Sequence, residues 1–349
     1  MLKCAILTLA VRPAAAAFME RQRLLETWLA DLLPGRGFSL APASADASFR
    51  RYFRATLDDG ATRIVMDAPP QHEDCRPFLH VAALLRGAGL NAPEILAQDL
   101  DRGFLLLSDL GRQTYLDVIN DDNADELMRP AIGALVRWQA ASRGGELPPY
   151  DEALLRRELA LFRDWYCHRH AGFALAGHWA DALQGIEALL VDSALAQPRV
   201  FVHRDWMPRN LMLSDPNPGV LDFQDAVYGP ISYDAMSLCR DAFVSWDEDR
   251  EIDWLARYWD QAKRRGLPVD SDFAEFYRAA EWMGLQRHMK VLGIFARLNY
   301  RDGKPAYLAD TPRFIGYARR VAGRYRPLAP LLELLDALQE RAARVGDTA

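Results

Sequence analysis

The stretch His203-Arg204-Asp205-Trp206-Met207-Pro208-Arg209-Asn210, followed by Leu221-Asp222-Phe223-Gln224-Asp225, constrains this chain more than any other part of it. Val200, Phe201 and Val202 run apolar into the first motif, and Leu211, Met212 and Leu213 run apolar out of it. A Pro/Gly turn at Pro216 to Gly219 then leads into Val220 and Leu221. Short apolar runs bounded by turn residues read as strands. The stretch is therefore strand, tight polar loop, short strand, turn and strand. Its spacing collects Asp205, Asn210 and Asp222 at one end of a small hairpin. A plain polar turn between buried strands is the alternative, but it does not account for three oxygen-bearing side chains arriving in this order.

Phosphoryl transfer needs such a set. A carboxylate receives the proton of the attacking hydroxyl, and hard oxygen ligands hold the magnesium that bridges the phosphates. His-x-Asp, an Asn after four intervening residues, and Asp-Phe beyond form the catalytic-loop and metal-Asp pattern of the kinase fold. Asp222-Phe223-Gln224 stands where eukaryotic protein kinases carry Asp-Phe-Gly, and no Ala-Pro-Glu follows. Instead come Asp225-Ala226-Val227-Tyr228-Gly229-Pro230 and Tyr233-Asp234-Ala235. That continuation resembles the aminoglycoside phosphotransferase-like family of small-molecule kinases. Residues Ser44 to Arg54, Met66-Asp67-Ala68-Pro69-Pro70 and Leu107-Ser108-Asp109-Leu110-Gly111 resemble one bacterial branch of it. That branch is the anomeric N-acetylmuramate/N-acetylglucosamine kinases of cell-wall recycling. The similarity runs from about Glu20 almost to the C-terminus.

The resemblance implies an α+β, bilobal protein-kinase-like fold. A small β-rich N-lobe would cover residues 19–109 and a larger, mainly helical C-lobe residues 110–349, with ATP and Mg2+ between them. Asp205 would be the catalytic base, and Asn210 and Asp222 the magnesium ligands. Ser44, Ser48 and Arg51, with the main chain of Ser108, Asp109 and Leu110, would meet the nucleotide. His203 would pack beneath the loop and Asp234 brace it, while Arg204, Asp225, Tyr228, Glu281 and His288 are candidates on the substrate side. The implied product is the sugar 1-phosphate, feeding nucleotide-sugar synthesis in peptidoglycan recycling. The rivals are a kinase of the same fold acting on an aminoglycoside, an amino alcohol or another sugar, and a nucleotide-binding module weak in transfer.

The last rival is motivated by Met66. The kinase lysine that pairs with the α- and β-phosphates sits on this strand, and Met66 stands at about that place. Either another cation takes over, with Arg50, Arg51 and Arg54 as candidates, or transfer is weak. Resemblance to a branch that shares this Met-Asp-Ala-Pro-Pro stretch favours substitution. The run from Ser44 to Ser48 carries no Gly, so hydroxyls and neighbouring arginines would have to help cover the phosphates. An ordinary exposed loop is the other reading of that run.

With 349 residues, half of them hydrophobic, the chain can bury a sizeable core. A net charge of −6 argues against a nucleic-acid partner, and no uninterrupted apolar run reaches the ~18 residues of a membrane span. No obligate protein partner is evident. Cys4, Cys75, Cys167 and Cys239 lie far apart and form no Cys-x-x-Cys pair, which suits the reducing cytoplasm. Cys167-His168-Arg169-His170 has poor zinc spacing on a predicted helix and reads as surface or packing. Residues 1–18 have the outline of a signal peptide, but Arg12-Pro13 interrupts it, and an exported ATP-using enzyme would be idle. They read as a disordered extension or an upstream-start artefact, with Met19 as the natural beginning.

Apolar spacing predicts a first helix over Glu20 to Leu33, then strands at Arg51 to Leu57 and Arg63 to Met66 about Asp58-Asp59-Gly60. A helix beginning near Asp74 and a hairpin about Asp101-Arg102-Gly103 follow. From Thr114 the chain reads as mostly helical. In the helix Asp272 to Leu298, Leu285, Met289, Leu292 and Ala296 form the apolar stripe, with Arg287, Lys290 and Arg297 opposite. Glu281 and His288 fall on or beside the stripe, so each is either bonded within the core or reaches a substrate pocket.

Overall fold

A computed structural model of the chain describes residues 19–44 and 49–346. The readings made for residues 1–18, which include Cys4, and for Ser48 lie outside the described residues, as does the side chain of Ser44. The chain divides into two compact units, one of Met1–Ala82 with Pro93–Leu110 and the other of Ala83–Ala92 with Gly111–Ala349.

The first unit is a five-stranded antiparallel sheet with a helix, α1 (19–32), on one face. Its strands are β1 (Phe38–Ser44), β2 (Arg51–Leu57), β3 (Thr62–Asp67), β4 (Ile95–Asp99) and β5 (Phe104–Ser108), in the spatial order β1-β2-β3-β5-β4. Helix α2 (Arg76–Gly87) lies between β3 and β4 in sequence, and the division between the units falls within it. Leu25, Trp28 and Leu29, three and four apart on α1, bury against Ala55, Val65, Phe104 and Leu106. Since side chains alternate along a strand, Tyr52, Arg54, Ile64, Met66, Leu105 and Leu107 occupy the other face. The sequence reading starts this sheet at Arg51. It misses β1, whose Pro42 disguises a strand that pairs with β2 and shifts register between Pro42 and Ser44. Gly103 turns the β4–β5 hairpin at φ +72, and a Cβ there would stand 1.9 Å from the Ala68 carbonyl oxygen. Only glycine lets the two turns approach.

The second unit is mainly helical: α3 (Tyr115–Val118), α4 (Ala124–Ala140), α5 (Glu152–Leu161), α6 (His178–Ala196), α7 (Tyr233–Cys239), α8 (Glu248–Arg264), α9 (Phe273–Asp302), α10 (Thr311–Arg324) and α11 (Pro330–Gly346). Two small antiparallel pairs sit among them. They are β6 (Arg199–Val202) with β9 (Val227–Pro230), and β7 (Leu211–Met212) with β8 (Gly219–Val220). After Leu161 the chain continues as a π-helix through Phe162–His170, so Cys167 is buried in packing while His168 and Arg169 are exposed.

Helix α9 organises the unit. It starts at Asp272, whose carboxylate accepts from the Ala274 N–H, and it ends on Gly303 at φ +67. It packs against α5, α6, α7, α10 and the π-helix. The side carrying Arg287 and Lys290, opposite the apolar stripe, is therefore buried as well as the Leu285–Ala296 stripe. A helix surrounded by other helices has no solvated face to keep polar.

Candidate active site

The hairpin carrying Asp205, Asn210 and Asp222 is built from both small strand pairs of the second unit. Val200, Phe201 and Val202 are buried in β6, and Trp138 packs on Phe201 with ring centroids 4.8 Å apart. Beyond Val202 the chain leaves the sheet through Arg204, which adopts φ +77. A non-glycine residue in that region is costly and persists only where its surroundings hold it. Here Asp234, in the first turn of α7, accepts from the N–H groups of His203 at 2.6 Å and Arg204 at 2.9 Å. Burial pushes the Asp234 carboxyl up to about 7, while the two N–H groups act against that rise. His203 is buried with its ring edge-on to Trp206, and its Nδ1 accepts from the Asp205 N–H at 3.3 Å. Burial pulls this imidazole down to about 4, so at neutral pH it is an uncharged support.

A short 3-10 turn, Pro208–Asn210, then swings Asn210 back under the loop. Its Nδ2 donates to the Asp205 carbonyl oxygen at 2.9 Å and lies 3.4 Å from Oδ2 of Asp222. The N–H of Leu221 donates to the Asn210 carbonyl at 2.9 Å, where β8 leaves the β7–β8 pair. Asp222 sits at φ +61 with an exposed side chain, and its Oδ1 accepts from Gln224 Nε2 at 2.8 Å. Asp205, Asn210 and Asp222 are thus one connected group, and two strained residues mark its ends.

A buried charged cluster that sequence reading missed stands beside Arg204. Glu158 of α5 accepts from Arg204 Nη2, from Lys290 Nζ at 3.0 Å, from Tyr150 and from Gln286. Burial opposes its charge, yet Lys290 and Arg204 beside it, with the Tyr150 hydroxyl, hold the carboxyl at about 2. Lys290 also donates to the Tyr233 hydroxyl at 3.0 Å. Nothing in the periodicity of α5 or α9 marks Glu158 and Lys290 as partners, because their pairing depends on how the two helices pack.

The other candidates fall in different places. Arg204 Nη1 is 3.5 Å from the Asp225 carbonyl oxygen, and the Asp225 side chain is exposed. Tyr228 lies within β9, its ring against Phe201 and under Arg199. Glu281 is taken up by a buried ion network, accepting from Arg240 at 2.9 Å, Arg324 at 2.7 Å and the Tyr325 hydroxyl at 2.7 Å. His288 is buried and stacks on Tyr317, with centroids 4.8 Å apart.

In the first unit, Arg51 is tied to the buried Asp67 on the α1 face, where Arg21 of α1 also donates to Asp67 at 2.6 Å. That is the face opposite Met66. Ser108 accepts at Oγ from the Glu94 N–H, and Asp109 receives both Nε and Nη2 of Arg54 at 2.6 and 3.1 Å. Leu110 closes the unit.

An antiparallel sheet unit, a larger helical unit and an Asp–Asn–Asp hairpin define a phosphotransferase of the protein-kinase-like fold. The chain belongs to the phosphotransferase enzyme family, whose sequence profile matches residues 39–270. It is 56% identical over 333 residues to the N-acetylmuramate/N-acetylglucosamine kinase of Pseudomonas aeruginosa, spanning 94% of this chain and 98% of that one. To the kinase of the same name from Neisseria meningitidis it is 49% identical over 321 residues, 91% and 96% of the two chains. A Ralstonia eutropha structure assigned as an aminoglycoside phosphotransferase shares the fold at TM-score 0.62 and 14% identity, covering 86% of this chain and 96% of that one.

Proposed function

We propose that this phosphotransferase moves the γ-phosphoryl group of ATP to the anomeric hydroxyl of N-acetylmuramate or N-acetylglucosamine, in the cytoplasm, as a step of peptidoglycan recycling. The observation that carries this is the 56% identity along nearly the whole length of a kinase bearing those two sugars in its name. The hairpin supports the chemistry. Asp205 takes the proton of the attacking hydroxyl as its oxygen bonds to phosphorus, and the bond from phosphorus to the β–γ bridging oxygen breaks, releasing ADP. Asn210 holds the Asp205 backbone in place through its 2.9 Å hydrogen bond, so the carboxylate needs no reorganisation at the moment of transfer.

Magnesium suits the residues present. Asn210 and the exposed Asp222 offer hard oxygens, and Mg2+ habitually takes one or two carboxylates, with phosphates and waters completing its shell. No cluster of three or more His, Cys, Asp or Glu side chains able to cage a metal occurs among the described residues. When bound, the ion would neutralise charge on the β- and γ-phosphates. No helix among the described residues is long and apolar enough to cross a membrane.

The test is phosphorus NMR of the product formed from each free sugar with ATP and Mg2+. The reducing sugar is expected to be consumed with phosphate on the anomeric oxygen, and its 1-O-methyl glycoside to be inert. Phosphate on the 6-oxygen, or equal turnover of the methyl glycoside, would overturn the anomeric assignment.

A further inference from the structure

Arg204 stands at φ +77, immediately before Asp205. A non-glycine residue persists there only where its surroundings over-determine the backbone. Asp234 holds the amide side of that residue. We infer that Glu158 is a positioning residue for phosphoryl transfer: by gripping the Arg204 side chain, it holds the backbone that presents Asp205. The inference rests on Asp205 as the proton acceptor and is independent of which sugar is phosphorylated.

The two grips act on one torsion. Asp234 accepts from the N–H groups of His203 and Arg204, which fixes the peptide plane before the Arg204 Cα. Rotation about the N–Cα bond would leave that plane in place and still swing Asp205 away. The same rotation carries the Arg204 side chain with it, because both are attached to one Cα. A guanidinium held at its far end opposes the movement when the side chain has little freedom of its own. Arg204 meets that condition, with a side chain only 19% exposed and Nη2 bound to Glu158. Its Nη1 lies 3.5 Å from the Asp225 carbonyl oxygen, and its guanidinium carbon stands 6.0 Å from the centre of the Tyr150 ring.

Glu158 is itself anchored from several directions. Gln286 and Lys290, about one turn apart on α9, donate to it at 3.3 and 3.0 Å. The Tyr150 hydroxyl also donates to it, and the Tyr150 N–H is bound at 2.9 Å to the Tyr228 carbonyl of β9, the strand paired with β6. Lys290 donates in addition to Tyr233, the residue before Asp234. The grip on the Arg204 side chain therefore shares its frame with the grip on the main chain.

Stability alone gives little reason for such a cluster, since well-packed apolar side chains often do as well as buried ions. What apolar side chains cannot do is hold a guanidinium at a fixed point through charge-assisted hydrogen bonds. Burial opposes the Glu158 charge, but Lys290, Arg204 and Tyr150 hold its carboxyl at about 2, so the grip is ionic at neutral pH. With a side chain only 5% exposed, Glu158 is enclosed by these partners and acts through Arg204.

The experiment is steady-state kinetics with ATP, Mg2+ and N-acetylglucosamine, beside urea denaturation. The variants are Glu158→Gln, Arg204→Met, Arg204→Gly, Arg204→Lys and the double variant Glu158→Gln with Arg204→Gly. A 1 Å misplacement at a reacting group can cost about 10²-fold in rate. The kcat of Glu158→Gln is therefore expected to fall about 10- to 100-fold, with the KM of ATP and of sugar unchanged. In the Arg204→Gly background the same substitution is expected to cost kcat nothing further, because the grip is already gone. Glycine takes a positive φ without strain, so Arg204→Gly is expected to be more stable than Arg204→Met and yet no faster. Arg204→Lys, still a cation facing Glu158, is expected to be faster than Arg204→Met. These Arg204 comparisons decide the matter should Glu158→Gln not fold. Additive losses from the two sites, a kcat that follows stability across the series, or a raised KM for the sugar at unchanged kcat would each overturn the inference. Undiminished turnover by Asp205→Asn would instead remove Asp205 as the base, and this inference with it.

Discussion

Asp205 owes its position to groups placed beneath it. Asp234 holds the backbone on one side, Asn210 holds the Asp205 carbonyl on the other, and Arg204 between them accepts a left-handed conformation as the cost. Replacing Asp205 by Asn keeps the size of the side chain and removes its capacity to take a proton as a carboxylate. Turnover is expected to fall about 10²- to 10⁴-fold, while ADP affinity stays at the wild-type value. Steady-state kinetics beside calorimetry will separate the two, and an undiminished rate would remove Asp205 from the role of base.

At the scale of elements, α9 sets how closely its neighbours approach. Gly293 faces the junction where α5 becomes a π-helix, and a Cβ there would stand 2.2 Å from the Leu161 carbonyl carbon and 2.3 Å from its oxygen. Those are backbone atoms that cannot rotate away, so one of the two helices must shift. Gly293→Ala gains helix propensity of ~1 kcal/mol, yet overpacking typically costs about 1–3 kcal/mol, and a backbone clash belongs at the upper end. A net loss of stability is expected from urea denaturation, together with reduced turnover, because α5 carries Glu158 and α9 carries Lys290. Stabilisation by this substitution would mean that the two helices are not in such close contact.

For the whole molecule, buried histidines link stability to pH. Burial, then the neighbouring Arg287, Arg240 and Arg320, push His288 well below its ordinary 6.5, and burial takes His203 to about 4. Below pH 6.5 the unfolded chain takes up protons that the folded chain refuses, so both residues withdraw stability as the pH falls. Asp234 acts in the opposite sense: with its carboxyl at about 7, the stability it contributes is lost as the pH rises through that value. A comparison of variants cancels such shared contributions. His288→Phe keeps a ring against Phe314 and Tyr317 and removes one of the refused protons. Its stability relative to wild type is expected to rise between pH 6.5 and 5 by up to about 1.4 kcal/mol per pH unit. Parallel unfolding curves at both pH values would show that His288 is not the acid-sensitive group.

The fold class and the hairpin were legible in the sequence because their signals are local. Asp205, Asn210 and Asp222 fall within one strand–loop–strand passage, where apolar runs and a Pro/Gly turn determine which residues meet. Most helices were legible for the same reason, through apolar spacing within each segment. Only the tertiary structure decided what depends on faces and distant partners. Arg51 and Arg54 look alike in sequence, and strand alternation together with Asp67 and Asp109 separates them. The partners of Glu281 and the ring that His288 stacks on, Arg240, Arg324 and Tyr317, come from other segments and could not be read from the helix itself. Periodicity placed Lys290 opposite the apolar stripe and could say no more, because it describes one helix at a time. It is buried because α9 is enclosed by several others, and Glu158, more than a hundred residues earlier in the chain, supplies the opposite charge that makes the burial tolerable.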